Sequence, residues 1–110
     1  MALDIKAVDG FEWDRGNSEK NKVKHNVTTT ECEEIFVNLP LLLADDSKHS
    51  REEKRSYMLG QTNKERRMFI SFTIRQNKIR VISARDMNRK ERATYEKELA
   101  QQKISKEENS

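Results

Sequence analysis

The stretch from Arg66 to Tyr95, RRMFISFTIRQNKIRVISARDMNRKERATY, sets much of the chain's apolar content beside much of its positive charge. Met68, Ile70, Phe72 and Ile74 fall on one face of an extended segment and Phe69, Ser71 and Thr73 on the other, the period-2 pattern of a half-buried strand. Gln76-Asn77 turns the chain into Lys78 to Ala84. There Ile79, Val81 and Ser83 alternate with Arg80, Ile82 and Ala84, so the two segments form a hairpin. Asn88 with Glu91 three residues on is a capping box, and the helix it opens has Ala93, Tyr95 and Leu99 as its few apolar members. From Arg75 to Arg92 the chain holds seven cations (75, 78, 80, 85, 89, 90, 92) against Asp86 and Glu91. This local field matters more than the formal net charge of +3.

Upstream of the hairpin, Arg55 to Thr62 reads as a strand with Tyr57 and Leu59 on one face and Gly60 as a bulge or a point of close approach. Leu41 to Ala44 is a short apolar strand whose exit, Asp45 to Ser50, has loop chemistry. Thr28 with Glu31 and Thr30 with Glu33 are overlapping capping boxes, so a helix starts here. Cys32, Ile35 and Phe36 form its apolar stripe, and Pro40 stops it within a few residues of Val37. An earlier polar helix is predicted from Asp14 to about His25, ended by Asn26 in a left-handed conformation. Phe11 and Trp13 share one face of the extended segment before it, and residues 1–10 form a weak edge strand or a loose start. The expected fold is α+β, with two N-terminal helices, an antiparallel sheet of about four strands and a C-terminal helix.

With 110 residues, 34% apolar and 37% charged, the chain supports one domain with a thin core, expected over residues 1–100. Residues 101–110 have almost nothing to bury and are expected to fray. The lone Cys32 excludes an internal disulfide and fits a reducing compartment, with cytoplasm the default. No apolar run reaches the length of a membrane span, and no signal-type core follows the N-terminus. Two histidines without cysteine ligands make no zinc site, so neither metal nor cofactor is expected.

Four ordered pieces go further. They are Phe11-Glu12-Trp13-Asp14; Asn21-Lys22-Val23-Lys24-His25 followed by Val27; the pair Arg55 and Gly60; and Ile82-Ser83-Ala84-Arg85 with Arg89, Glu91, Arg92 and Tyr95 downstream. Over about residues 11 to 96 the chain resembles the BrnT family of toxins from bacterial type II toxin–antitoxin modules. The resemblance implies a RelE-like fold and an endoribonuclease that arrests translation. It also implies a ribbon-helix-helix, BrnA-like antitoxin that neutralises the toxin in a higher-order complex bound to operator DNA. One departure is Asn26, where the family usually has glycine after Lys-His; asparagine is the next most tolerant residue there.

Metal-independent RNA cleavage requires a base for the 2′-hydroxyl proton, an acid for the leaving 5′-oxygen and cations for the charge on phosphorus. Enzymes of the RelE type use arginine, lysine and tyrosine, which makes Lys24, His25, Arg80 and Arg85 the catalytic candidates. Arg55, Arg66, Arg67, Arg89 and Tyr95 are RNA-binding candidates. Each has a plainer reading. His25 can titrate near neutrality or merely cap a helix through its dipole. Lys24 can be a solvated helix-face charge, and Tyr95 can pack against the sheet. Arg80 and Arg85 can grip phosphate bidentately, or merely blunt a sheet edge or pair with acids on the second helix. Strict alternation places Arg85 on the face opposite Arg80, unless a bulge or the end of the strand re-aims it. Phe11 and Trp13 can stack a base or belong to the core. The alternative to an enzyme is a non-catalytic module that binds nucleic acid or a partner through the basic hairpin.

Overall fold

The computed structural model describes residues 10–14, 16, 25–38, 40–46 and 54–108, with side chains described as far as residue 101. Among the described residues the elements follow in the order α1 (Thr29–Val37), β1 (Leu42–Asp45), β2 (Ser56–Gln61), β3 (Arg67–Arg75), β4 (Lys78–Asp86) and α2 (Arg89–Glu108). The strands form one antiparallel sheet in sequence order, β1-β2-β3-β4, so each strand pairs with its chain neighbour. The result is the α+β architecture with four antiparallel strands. Of the earlier polar helix only Asp14, Gly16 and His25 are described, the last two in helical conformation, and the rest of that expectation lies outside the described residues. Among the described residues no helix is long and apolar enough to cross a membrane.

Of the two overlapping capping boxes, Thr28 with Glu31 is the one that forms. The Glu31 amide donates to Thr28 Oγ1 at 3.1 Å and the Thr28 amide to Glu31 Oε1 at 3.1 Å. Asn38 closes α1 in an extended conformation, and its side-chain amide donates to the carbonyls of Glu34 and Gln61, tying the helix end to the end of β2. Cys32 and Ile35 are buried, as the stripe requires. Gly60 is a close-approach point, since an added Cβ would run into Ile35 Cγ2. The β3–β4 turn places Gln76 and Asn77 at φ 51° and 63°, the left-handed pair that a tight hairpin with the normal sheet twist demands.

The sheet is covered on both faces. Met58, Met68, Ile70, Phe72, Val81 and Ala84 pack under α1 with Cys32, Ile35 and Val27. Leu59 packs on the other side with Met87 and Tyr95, flanked by Leu42, Phe69 and Leu99. A bulge breaks the alternation of β4: Ser71 faces Ser83 and Phe72 faces Val81, which leaves Ile82 without a partner across the ladder. Consequently Val81 and Ala84 both point into the α1-side core, and Arg80 and Arg85 share the opposite face. Before the first helix, Phe11 bridges Ile79 in parallel, with the Ile79 amide donating to Gly10 O and the Glu12 amide to Ile79 O, both at 2.8 Å. Phe11 and Trp13 do share a face. Their rings stack at 5.6 Å, and Phe11 meets Phe36 edge-on at 4.9 Å. Helix α2 opens on the Asn88–Glu91 box and continues through Glu108, across the polar stretch where fraying is expected from composition.

Candidate active site

The β4 bulge turns Arg85 toward α2, onto a cleft with a volume of about 400 Å³. Its floor is Tyr57, Leu59 and Phe69 of β2 and β3, its wall Asn88, Lys90, Glu91 and Thr94 from the start of α2, and its outer rim Asp46. The Arg85 guanidinium lies 4.1 Å from the centre of the Phe69 ring and pairs bidentately with Glu91, at 2.8 and 3.0 Å. Burial works against the charge on Glu91, but the hydrogen bonds from Arg85 and from the Asn88 amide outweigh it and hold the carboxyl below its ordinary value. A flat, oriented cation in an open cleft is suited to the equatorial oxygens of a phosphate. Lys90, Arg89 and Arg92 are exposed on the first turn of the helix beside it.

On the other side of that turn lies a second charged cluster. Arg66 donates from Nε to Asp86 Oδ1 (2.7 Å), from one terminal nitrogen to Asn26 O (2.9 Å) and Glu31 Oε2 (3.0 Å), and from the other to His25 O (3.2 Å) and Asp86 Oδ2 (3.2 Å). All five of its N–H groups are thereby engaged. The hydrogen bond from Arg66 holds the Asp86 carboxyl below its ordinary value, with further contributions from Arg92 and His25. Asn26 takes the expected left-handed conformation, φ 54°, which ends the preceding segment and turns the His25 and Asn26 carbonyls to Arg66.

The remaining candidates divide. Arg80 pairs with Glu12 at 3.1 Å and Asp14 at 2.5 Å, five residues and on the order of 16 Å along the strand from Arg85. It thus fastens the N-terminal segment to β4. Arg67 bonds Glu96 and stands 5.3 Å from the Tyr95 ring. Tyr95 itself is fully buried and donates to Pro40 O at 2.7 Å; burial pushes its phenol up to about 12. This corrects the expectation of Tyr95 at an RNA surface, since both its ring and its hydroxyl are committed to holding α2 on the sheet. Arg55 is half-buried, and Lys24 lies outside the described residues.

Sequence reasoning did not single out Tyr57 and Phe69 as site residues. Their rings stack at 5.5 Å within the cleft. The available signal was their position on the strand faces opposite Met58 and Ile70, where a second apolar face carries aromatics but few aliphatics. Among the described residues no three His, Cys, Asp or Glu side chains converge into a group able to hold a metal ion. None of the curated proteins compared matches the chain. The model of one family, described as "Ribonuclease toxin, BrnT, of type II toxin-antitoxin system", matches residues 13–91. That span runs from Trp13 past Arg85 to Glu91 and takes in well over half of the 110 residues. With its four-stranded sheet, its cationic turn and this match, the chain belongs to the BrnT family of ribonuclease toxins of type II toxin–antitoxin systems.

Proposed function

We propose that the chain is a metal-independent endoribonuclease whose reaction centres on Arg85, with the first turn of α2 as its RNA-facing rim. Membership of the family supplies the coarser terms, RNA as substrate and an antitoxin as partner. The observation that carries the finer reading is the Arg85 guanidinium, held flat by Phe69 and oriented by Glu91 in a cleft bordered by Lys90. In this reaction the 2′-oxygen bonds to phosphorus as the bond to the 5′-oxygen breaks. One proton leaves the 2′-hydroxyl for a base, another reaches the 5′-oxygen from an acid, and a 2′,3′-cyclic phosphate remains. Arg85 stabilises the charge gathered on the non-bridging oxygens. His25, whose carbonyl meets Arg66 outside the lining of the Arg85 cleft, is the proton-transfer candidate, with the adjacent Lys24 as its companion. Arg80, Arg66 and Arg67 take structural roles because each ties together segments far apart in the chain and none lines the Arg85 cleft. Arg89 and Arg55 remain candidates for phosphate contact.

The antitoxin in this reading is a ribbon-helix-helix, BrnA-like protein that covers the cationic rim in the cytoplasm, and their complex binds operator DNA. The test is cleavage of single-stranded RNA by the purified protein in EDTA, with the product ends identified. Cyclic phosphate or its hydrolysed 3′-phosphate is expected, and Arg85→Ala lowers the rate by about a hundredfold or more. Full activity in Arg85→Ala overturns the assignment, and no cleavage with or without metal overturns the activity.

A second reading, a binding module without chemistry, is favoured by the closure of Arg85 on Glu91. It predicts RNA affinity that falls with salt by roughly 0.7 log units per neutralised phosphate per log unit of salt, and no product.

A further inference from the structure

We infer that the cleft under the start of α2 is a nucleobase site that takes one unpaired base of an RNA strand onto a floor made by Tyr57, Phe69 and Arg85. The inference rests on the ribonuclease reading for the identity of the ligand, and on the following geometry for the site. Three flat groups stand side by side on adjacent strands: the phenol of Tyr57 on β2, the ring of Phe69 on β3 and the guanidinium of Arg85 on β4. The two rings lie 5.5 Å apart at an interplanar angle of 27°, and the guanidinium is 4.1 Å from the Phe69 centroid. Glu91 fixes the orientation of Arg85 with two hydrogen bonds.

Tyr57 and Phe69 are half-buried although each faces a covered side of the sheet, so the floor is open where a core would be closed. Arg85 lies over one face of Phe69 and Tyr57 stacks against the same ring, so the faces left for an unpaired base are the outer ones of Tyr57 and Arg85, an aromatic ring and a guanidinium plane of the kind on which unpaired bases stack. A volume of about 400 Å³ accommodates a ligand of nucleotide size. Lys90 on the wall, with Arg89 and Arg92 exposed nearby, gives the backbone of the same strand a cationic track. The other aromatic pair, Phe11 and Trp13, is committed elsewhere. It packs on the α1-side core, and the Trp13 N–H donates to Glu33.

The probe is a short 2′-O-methyl oligoribonucleotide, which lacks the attacking hydroxyl and stays intact, compared with an abasic strand of the same length. Full-length Tyr57→Leu should bind the base-bearing strand at least about fivefold more weakly, with unchanged affinity for the abasic strand; Tyr57→Phe should retain wild-type affinity for both. Equal losses on both strands, or no loss, overturn the inference. Should Tyr57→Leu fail to fold, the wild-type protein decides the matter: a strand carrying 5-iodouridine, irradiated in the complex, should cross-link within the peptides of Tyr57 or Phe69. Cross-links solely elsewhere, with cleavage of ordinary RNA intact, overturn the base site and leave the ribonuclease reading standing. Absence of both binding and cleavage overturns the two together.

Discussion

Arg66 joins three separate segments of the chain. Its five donors join the carbonyls of His25 and Asn26, the cap of α1 through Glu31 and the end of β4 through Asp86. Its removal leaves two carboxylates without their cation. Asp86 is 57% exposed, so solvent screens part of the loss. Arg66→Ala is therefore expected to cost about 2 kcal/mol, below the ~3–5 kcal/mol of a fully buried pair, read as a lower urea midpoint at unchanged slope. The pH dependence has a definite sign. In Glu31 burial opposes the charge but hydrogen bonds from Thr28 and Arg66 prevail, and in Asp86 the bond from Arg66 leads. Both carboxyls lie below their ordinary values of 4.5 and 3.8. The folded state therefore binds fewer protons than the unfolded one in that range. The stabilisation is complete above about pH 5 and is lost as pH falls through the folded values. The gap between wild type and Arg66→Ala should narrow on going from about pH 7 to about pH 3, and an equal gap at both would refute the account.

At the scale of elements, α1 and β2 are matched through Gly60. Because a Cβ there would overlap the Ile35 side chain, Gly60→Ala is expected to force the helix outward and cost about 1–3 kcal/mol, measured by thermal or urea unfolding. Ile35→Ala, which removes the Cγ2 that the new methyl would meet, should cost less in the Gly60→Ala background than in the wild type. Much of the element structure was legible because its signals are local. The Thr28–Glu31 and Asn88–Glu91 boxes, the stop at Pro40 and the alternation of Met68 to Ile74 each act within a few residues. The bulge at Ile82 carries no such signal. No glycine marks it, and it is the packing of both Val81 and Ala84 under α1 that selects it. That single extra residue decides which face Arg85 serves, so the most important side chain of the candidate site was the one that alternation alone misplaced.

In the whole molecule the cationic groups singled out by residue type separate into two kinds. Arg66, Arg67 and Arg80 bind distant parts of the chain to one another, while Arg85 and the first turn of α2 face the cleft. Composition could not tell them apart, because the partners of Arg66 and Arg80 lie up to 68 residues away. The bridge from Phe11 to Ile79 gives this division a kinetic meaning. Every pairing within the sheet joins consecutive strands, whereas this bridge closes a loop spanning most of the chain and is held by two hydrogen bonds. Its loop-closure entropy is accordingly the larger, and its local opening the easier. In native-state hydrogen exchange the amides of Glu12 and Ile79 should lose their protons through a low-energy detachment of the N-terminal segment, well before those of Ile70 and Phe72. Arg80 stands at that joint through Glu12 and Asp14, so Arg80→Ala should hasten exchange at Glu12 and Ile79 while leaving the centre of β3 as slow as before.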